Sequence, residues 1–67
     1  MLSTRVKERM QELGLSQLDV VQLSGVKQAA LNHICTGRVK MAGVLTIFRL
    51  AGALKCDPKW LATGEAE

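Results

Sequence analysis

The chain has 67 residues, close to half of them apolar, and a formal net charge of +3. That size fits one small domain, expected over residues 1–67, with a limited core that often recruits help from a second subunit. Two cysteines, Cys35 and Cys56, and one histidine, His33, with no C-x-x-C and no histidine pair, argue against a structural metal and against a disulfide scaffold.

Residues 1–15 are charged and amphipathic rather than the apolar core of a secretion signal. The longest apolar stretch, around Val44–Leu54, is too short and too interrupted to span a bilayer. The expectation is a cytoplasmic protein with reduced thiols, no membrane partner, no cofactor and no small-molecule ligand. Charge is spread unevenly. After Asp19 the next acid is Asp57, and between them stand Lys27, Arg38, Lys40, Arg49 and Lys55. Such an acid-free basic stretch is a candidate footprint for a polyanion, weighed against chance drift in composition.

Five short helices are expected. Leu2, Val6, Met10 and Leu13 recur at helical spacing, and Gly14 is placed to end that first helix in a left-handed turn. Ser16 with Asp19 three residues on forms a capping-box pattern, and Leu15 with Val20 suits a hydrophobic staple. The second helix then stops at Ser24-Gly25. In the third, Leu31 and Ile34 mark the core side. A turn of 100° per residue sends Ala29, Asn32 and His33 outward, with Gln28 and Ala30 on the flanks. Gly37 is its expected stop. Arg38–Gly43 reads as a loop, and a fourth helix runs from about Val44 to Leu54. That helix is apolar around most of its circumference, so one side needs cover from a fifth helix or a partner chain. Asp57-Pro58 starts the fifth helix as N-cap and first residue, Trp60 and Leu61 give it an apolar face, and Gly64 ends it.

The second and third helices are the informative pair. About three residues, Ser24-Gly25-Val26, join them, which forces a steep crossing. This is the helix-turn-helix arrangement, whose second helix lies in the DNA major groove. The outward residues suit that role. Gln pairs bidentately with adenine N6 and N7, Lys donates to guanine O6 and N7, and alanine methyls touch the thymine methyl.

Gln17-Leu18-Asp19-Val20-Val21, then Ser24-Gly25-Val26, then Leu31 and Ile34, resemble the Cro proteins and repressor N-terminal domains of lambdoid phages. The resemblance continues through Lys55–Gly64 and covers nearly the whole chain. It implies an all-α fold, a compact five-helix lambda-repressor-like domain with its motif over residues 17–36. It further implies a transcriptional repressor of the Cro type that binds a pseudo-palindromic operator in double-stranded DNA as a homodimer. Lys27, Gln28, Ala29, Asn32 and His33 would read bases, while Gln17, Arg38 and Lys40 would hold phosphates. The dimer contact is expected around residues 54–64, through Leu54, Lys55, Trp60 and Leu61, weak in solution and firm on DNA.

The sequence also departs from that family. An Arg in the first helix and a Glu late in the recognition helix often form an ion pair there; Met10 and Cys35 stand in those places. Met41 and Gly43 occupy loop positions that are often basic.

Simpler readings stand beside these roles. His33 could be merely solvated, Cys35 and Cys56 small core residues, and Trp60 a packing anchor. Two other functions stay open: a DNA-binding antitoxin of a toxin–antitoxin pair, and a basic helical module for an acidic protein. No paired carboxylates, nucleophile site or phosphate-cradling loop suggests an enzyme.

Overall fold

Chemistry at the helix ends sets the element boundaries. The computed structural model describes residues 1–65, so the last two residues of the domain expected over 1–67 lie outside it. Among the described residues there are no strands and five helices: α1 (Leu2–Leu13), α2 (Gln17–Ser24), α3 (Gln28–Cys35), α4 (Val44–Leu54) and α5 (Pro58–Thr63). Gly14 ends α1 in a left-handed conformation. The Ser16–Asp19 box closes reciprocally at the start of α2: the Asp19 N–H donates to Ser16 Oγ at 3.1 Å, and the Ser16 N–H donates to Asp19 Oδ2 at 3.0 Å. Asp57 caps α5 by accepting the Lys59 N–H at 3.2 Å, with Pro58 just inside the start.

Every helix sends side chains to one core. Val6, Val20, Leu31, Leu50, Leu54 and Leu61 are completely buried. Helix α1 packs on α3, α4 and α5, while α2 packs on α3 and α4. Met10 and Cys35 both lie in this buried cluster, so the two positions where the resemblance led one to expect an ion pair are filled by apolar packing. Such a replacement avoids the desolvation penalty of buried charges.

Two of the residues expected at a dimer contact are placed otherwise. Leu54 and Leu61 each have 0% exposure and belong to the core. Leu61 is the residue by which α5 packs on the core; for Leu54 the reason lies in α4, a helix apolar around its circumference that carries no periodic signal to say which side turns inward. Its buried side proves to be Ile47, Leu50, Ala51, Ala53 and Leu54. Lys55 is exposed and Trp60 is half-buried at the core's edge.

Two arginines of α1 fasten the chain's C-terminal half. Arg5 Nε donates to the Leu61 carbonyl at 2.8 Å, and Arg5 Nη2 donates to that of Ala62 at 3.1 Å. Arg9 donates to the Leu54 carbonyl from Nη2 at 2.8 Å and from Nε at 3.1 Å, and reaches the Lys55 carbonyl at 3.1 Å. The final carbonyls of a helix lack intrahelical partners and carry its negative dipole end, so a guanidinium satisfies both needs. The Arg9–Glu12 pair at 3.4 Å is surface-exposed and adds little.

Arg9→Ala is therefore expected to lower stability by about 1–2 kcal/mol in urea unfolding, through lost carbonyl contacts; an unchanged midpoint would show those contacts to be idle. Lys55, the non-glycine residue with positive φ at 54°, ends α4 in a left-handed turn. A side chain in that region costs energy that glycine does not incur, so Lys55→Gly should raise stability by about 0.5–1 kcal/mol in the same measurement.

Candidate nucleic-acid interface

The corner between α2 and α3 is built from one hydroxyl and one glycine. Ser24 Oγ donates to the Val20 carbonyl at 2.6 Å and accepts the Val26 N–H at 3.1 Å, both within buried surroundings. It thus ties the last turn of α2 to the first residue beyond the corner. Gly25 turns the backbone with φ of 74°, a region that side chains rarely tolerate. The connecting residues are Gly25, Val26 and Lys27, one step later than the sequence suggested. Val26 is buried and holds the corner to the core.

Helix α3 then lies with Leu31, Ile34 and Cys35 inward. Lys27, Gln28, Ala29, Ala30 and Asn32 are exposed, and His33 is half-buried. The outward face expected from the helical wheel is therefore the face that meets solvent, with His33 at its margin. Lys27 is the N-cap and makes no side-chain capping bond, so the first amides of α3 keep free donors.

The loop after α3 is fastened to the same helix. The His33 carbonyl accepts the Arg38 N–H at 3.0 Å, the Val39 N–H at 3.3 Å and Thr36 Oγ1 at 3.3 Å. Val39 packs against the core, while its neighbours Arg38 and Lys40 are exposed or nearly so. One backbone carbonyl thus fixes the path of the loop that carries Arg38 and Lys40, and Lys40 lines a groove with Ser3 and Arg5 of α1 and Thr63 of α5. Gln17, half-buried, is the first residue of α2, where amides again lack intrahelical acceptors.

The arrangement offers hydrogen-bond donors and positive charge without an acid on α3 or its loop, which is chemistry for a polyanion. It offers little for catalysis. Burial pushes the thiols of both Cys35 and Cys56 up, away from the reactive thiolate. Among the described residues, no group of three His, Cys, Asp or Glu side chains is gathered as metal ligands would be. No helix among them is long and apolar enough to cross a membrane.

Sequence reasoning passed over two sets of residues. Arg5 and Arg9 act on carbonyls more than forty residues away, a distance no local pattern signals. Val44, Leu45 and Phe48 form an exposed apolar face on α4; the apolar circumference of that helix was the available signal.

A short helix held only from beneath, across a three-residue corner from a capped partner, defines a helix-turn-helix domain of the DNA-binding type. The chain belongs to the helix-turn-helix family, which it matches over residues 6–61. It is 35% identical over 66 residues to the transcriptional regulators for conjugative elements R391 of Providencia rettgeri and SXT of Vibrio cholerae. The match takes in 98% of this chain but spans only 30% of the length of each relative. In structure it is similar to the restriction-modification controller protein C.AhdI of Aeromonas hydrophila. That likeness has a TM-score of 0.81 and 28% identity, over 90% of this chain and 89% of the other. The P22 c2 repressor, solved with a synthetic operator, shares the fold with a TM-score of 0.83 and 23% identity over 97% of both chains.

Removing one cation of the loop after α3 is expected to weaken DNA binding evenly across sequences. Arg38→Ala and Lys40→Ala are each expected to reduce the steepness of the log K against log salt plot by about one unit, since each lost contact releases one fewer counterion. An unaltered slope in a salt titration would remove that residue from the interface.

Proposed function

We propose that this domain is the DNA-binding part, or the whole, of a transcriptional repressor of the Cro type, working in the cytoplasm on promoter DNA. Two copies would occupy a pseudo-palindromic operator and place their α3 helices in successive major grooves about 34 Å apart. Occupying the promoter would itself block transcription, without chemistry. The observation that carries this reading is the outer face of α3, acid-free and polar, followed by a loop with exposed Arg38 and Lys40 whose backbone the His33 carbonyl fastens. The regulators it resembles, and a repressor of the same fold solved with operator DNA, support the same reading.

The roles divide by position. Lys27, Gln28, Ala29 and Asn32 would face base edges, with His33 at the margin where a base or a backbone sugar is in reach. Gln28, at the first turn of α3, is the strongest reader, because its amide matches adenine N6 and N7 in one plane. Ala29 leaves room for close approach and offers its methyl to thymine. Gln17, Arg38 and Lys40 would grip phosphates and fix the register. Size supports pairing: the longest extent of the described domain is 29 Å. One copy is therefore shorter than the helical turn that separates two half-sites.

Selection of binding sites from random DNA should return a two-fold related sequence bound by two chains. On that site Gln28→Ala is expected to cost about 1–3 kcal/mol and to relax preference at one position in each half. Equal loss on unrelated DNA would sink the base-reading role of Gln28, and recovery of no preferred sequence would sink sequence-specific recognition.

A further inference from the structure

The groove that Lys40 lines lies outside the helix-turn-helix pair. Its volume is about 420 Å³, within the range of small-ligand sites, and none of its lining residues belongs to α2 or α3. Its polar side chains are Ser3, Arg5, Lys40 and Thr63, and no acid lines it. Val39, Met41 and Ala62 give it apolar walls. Ser3 is the unusual member, a polar residue with 8% exposure. Ser24 and Thr63 each donate a hydroxyl to the carbonyl four residues earlier. Ser3 is the second residue of α1, where the helix has no such carbonyl. Among the described residues no fully buried side-chain polar atom lacks a partner, and none of them bonds the Ser3 hydroxyl. That oxygen therefore opens into the groove as an unused donor. Beside it the first amides of α1 lack intrahelical acceptors, and Met1 makes no side-chain capping bond to them. Thr63 Oγ1 is already engaged by the Lys59 carbonyl and the Glu65 N–H. Arg5 commits Nε and Nη2 to carbonyls of α5 but keeps its charge at the groove wall.

We propose that this groove binds a phosphomonoester, a phosphate dianion carried on a small apolar body. The donors come from two walls, the start of α1 on one side and the loop with Lys40 on the other. A phosphate monoester presents three strong acceptor oxygens to meet them, whereas a carboxylate presents two. The anion also sits at the positive end of α1, a helix of twelve residues with no acid in its first turn. Lys40 and Arg5 supply balancing charge, and the apolar walls take the rest of the ligand. The depth of Ser3 selects a free ligand over the DNA backbone. A phosphate on a duplex is fixed to a wide rod and does not descend to a hydroxyl that is nine-tenths buried. A small free anion does. The site therefore stands independently of the operator reading, although Lys40 enters both.

Heteronuclear NMR titration of the 67-residue chain with phenyl phosphate, without DNA, tests the groove. The amide signals of Leu2, Ser3, Thr4 and Lys40 should shift together and saturate with a Kd on the order of 1 mM, while those of Gln28, Ala29 and Asn32 stay in place. Inorganic phosphate should bind about fivefold more weakly at the same signals, for want of an apolar body, and phenol should leave them unmoved. Ser3→Ala and Lys40→Gln should each weaken phenyl phosphate about tenfold, the scale of one hydrogen bond to a charged group. Lys7→Gln removes an exposed cation of α1 outside the groove and should bind as wild type does. Alanine suits a helix and Lys40 is exposed, so both groove variants should keep the wild-type melting temperature. Ser3→Ala should also leave affinity for DNA unchanged. Shifts that never saturate, or that fall on α3 instead of α1, overturn the proposal. So do Ser3→Ala and Lys40→Gln chains that hold phenyl phosphate as wild type does, or an equal loss in Lys7→Gln, which would mark diffuse attraction to net charge. A Ser3→Ala change that weakens DNA binding but not phenyl phosphate binding would assign the groove to the DNA backbone and overturn it too. A chain that holds phenyl phosphate as expected but has no affinity for DNA would uphold the site and overturn the operator reading alone.

Discussion

Helix α3 is eight residues long, and a helix of two turns does not persist in water by itself. Everything that makes this domain a reader of DNA depends on holding that helix from beneath. Leu31, Ile34 and Cys35 sink into the core, and fully burying one aliphatic side chain such as Leu31 is worth about 1.5–3 kcal/mol. Ser24 and Val26 fix where the helix begins, and the His33 carbonyl, by accepting from Arg38 and Val39, fixes the path of the loop beyond its end. Because the inner face supplies the stability, the outer face is released from that duty. Lys27, Gln28, Ala29 and Asn32 are then free to be chosen for a ligand rather than for the helix.

The support beneath α3 itself depends on helices later in the chain. The α4 and α5 helices end near α1, and their final carbonyls are met by Arg9 and Arg5. Charged side chains at the periphery thus satisfy helix ends that would otherwise leave polar groups part-buried and unpaired. Arg9 acts at the left-handed Lys55, where the backbone takes a conformation that side chains disfavour. The guanidinium accordingly holds a turn that the residue type alone disfavours.

Much of this was legible beforehand, and the reason is locality. The Ser16–Asp19 box, Gly14 and the Asp57-Pro58 pair act within four residues of themselves, so the helix boundaries could be read from neighbours. The outward face of α3 came from two anchors, Leu31 and Ile34, and a fixed angle per residue. What escaped was set by distant partners. The Arg5 and Arg9 acceptors lie 45 to 57 positions away. The buried side of α4 could not be chosen from a sequence apolar all round, which is why Leu54 was expected on a surface it does not reach; Leu61, read only as part of the apolar face of α5, is likewise in the core.

The mistaken side of α4 has a physical consequence for the proposed repressor. Had the pairing surface been the end of α4, dimerisation would have drawn on residues the core already uses, and stability and assembly would have been coupled. With Leu54 and Leu61 inside, the core closes within one chain, and a pairing of copies would draw on surface that the core leaves over. A pair that forms weakly in solution delivers its two recognition helices together mainly when DNA gathers them. Operator occupancy under such a scheme varies as roughly the square of protein concentration while free chains remain monomeric, steeper than any single-chain reader achieves.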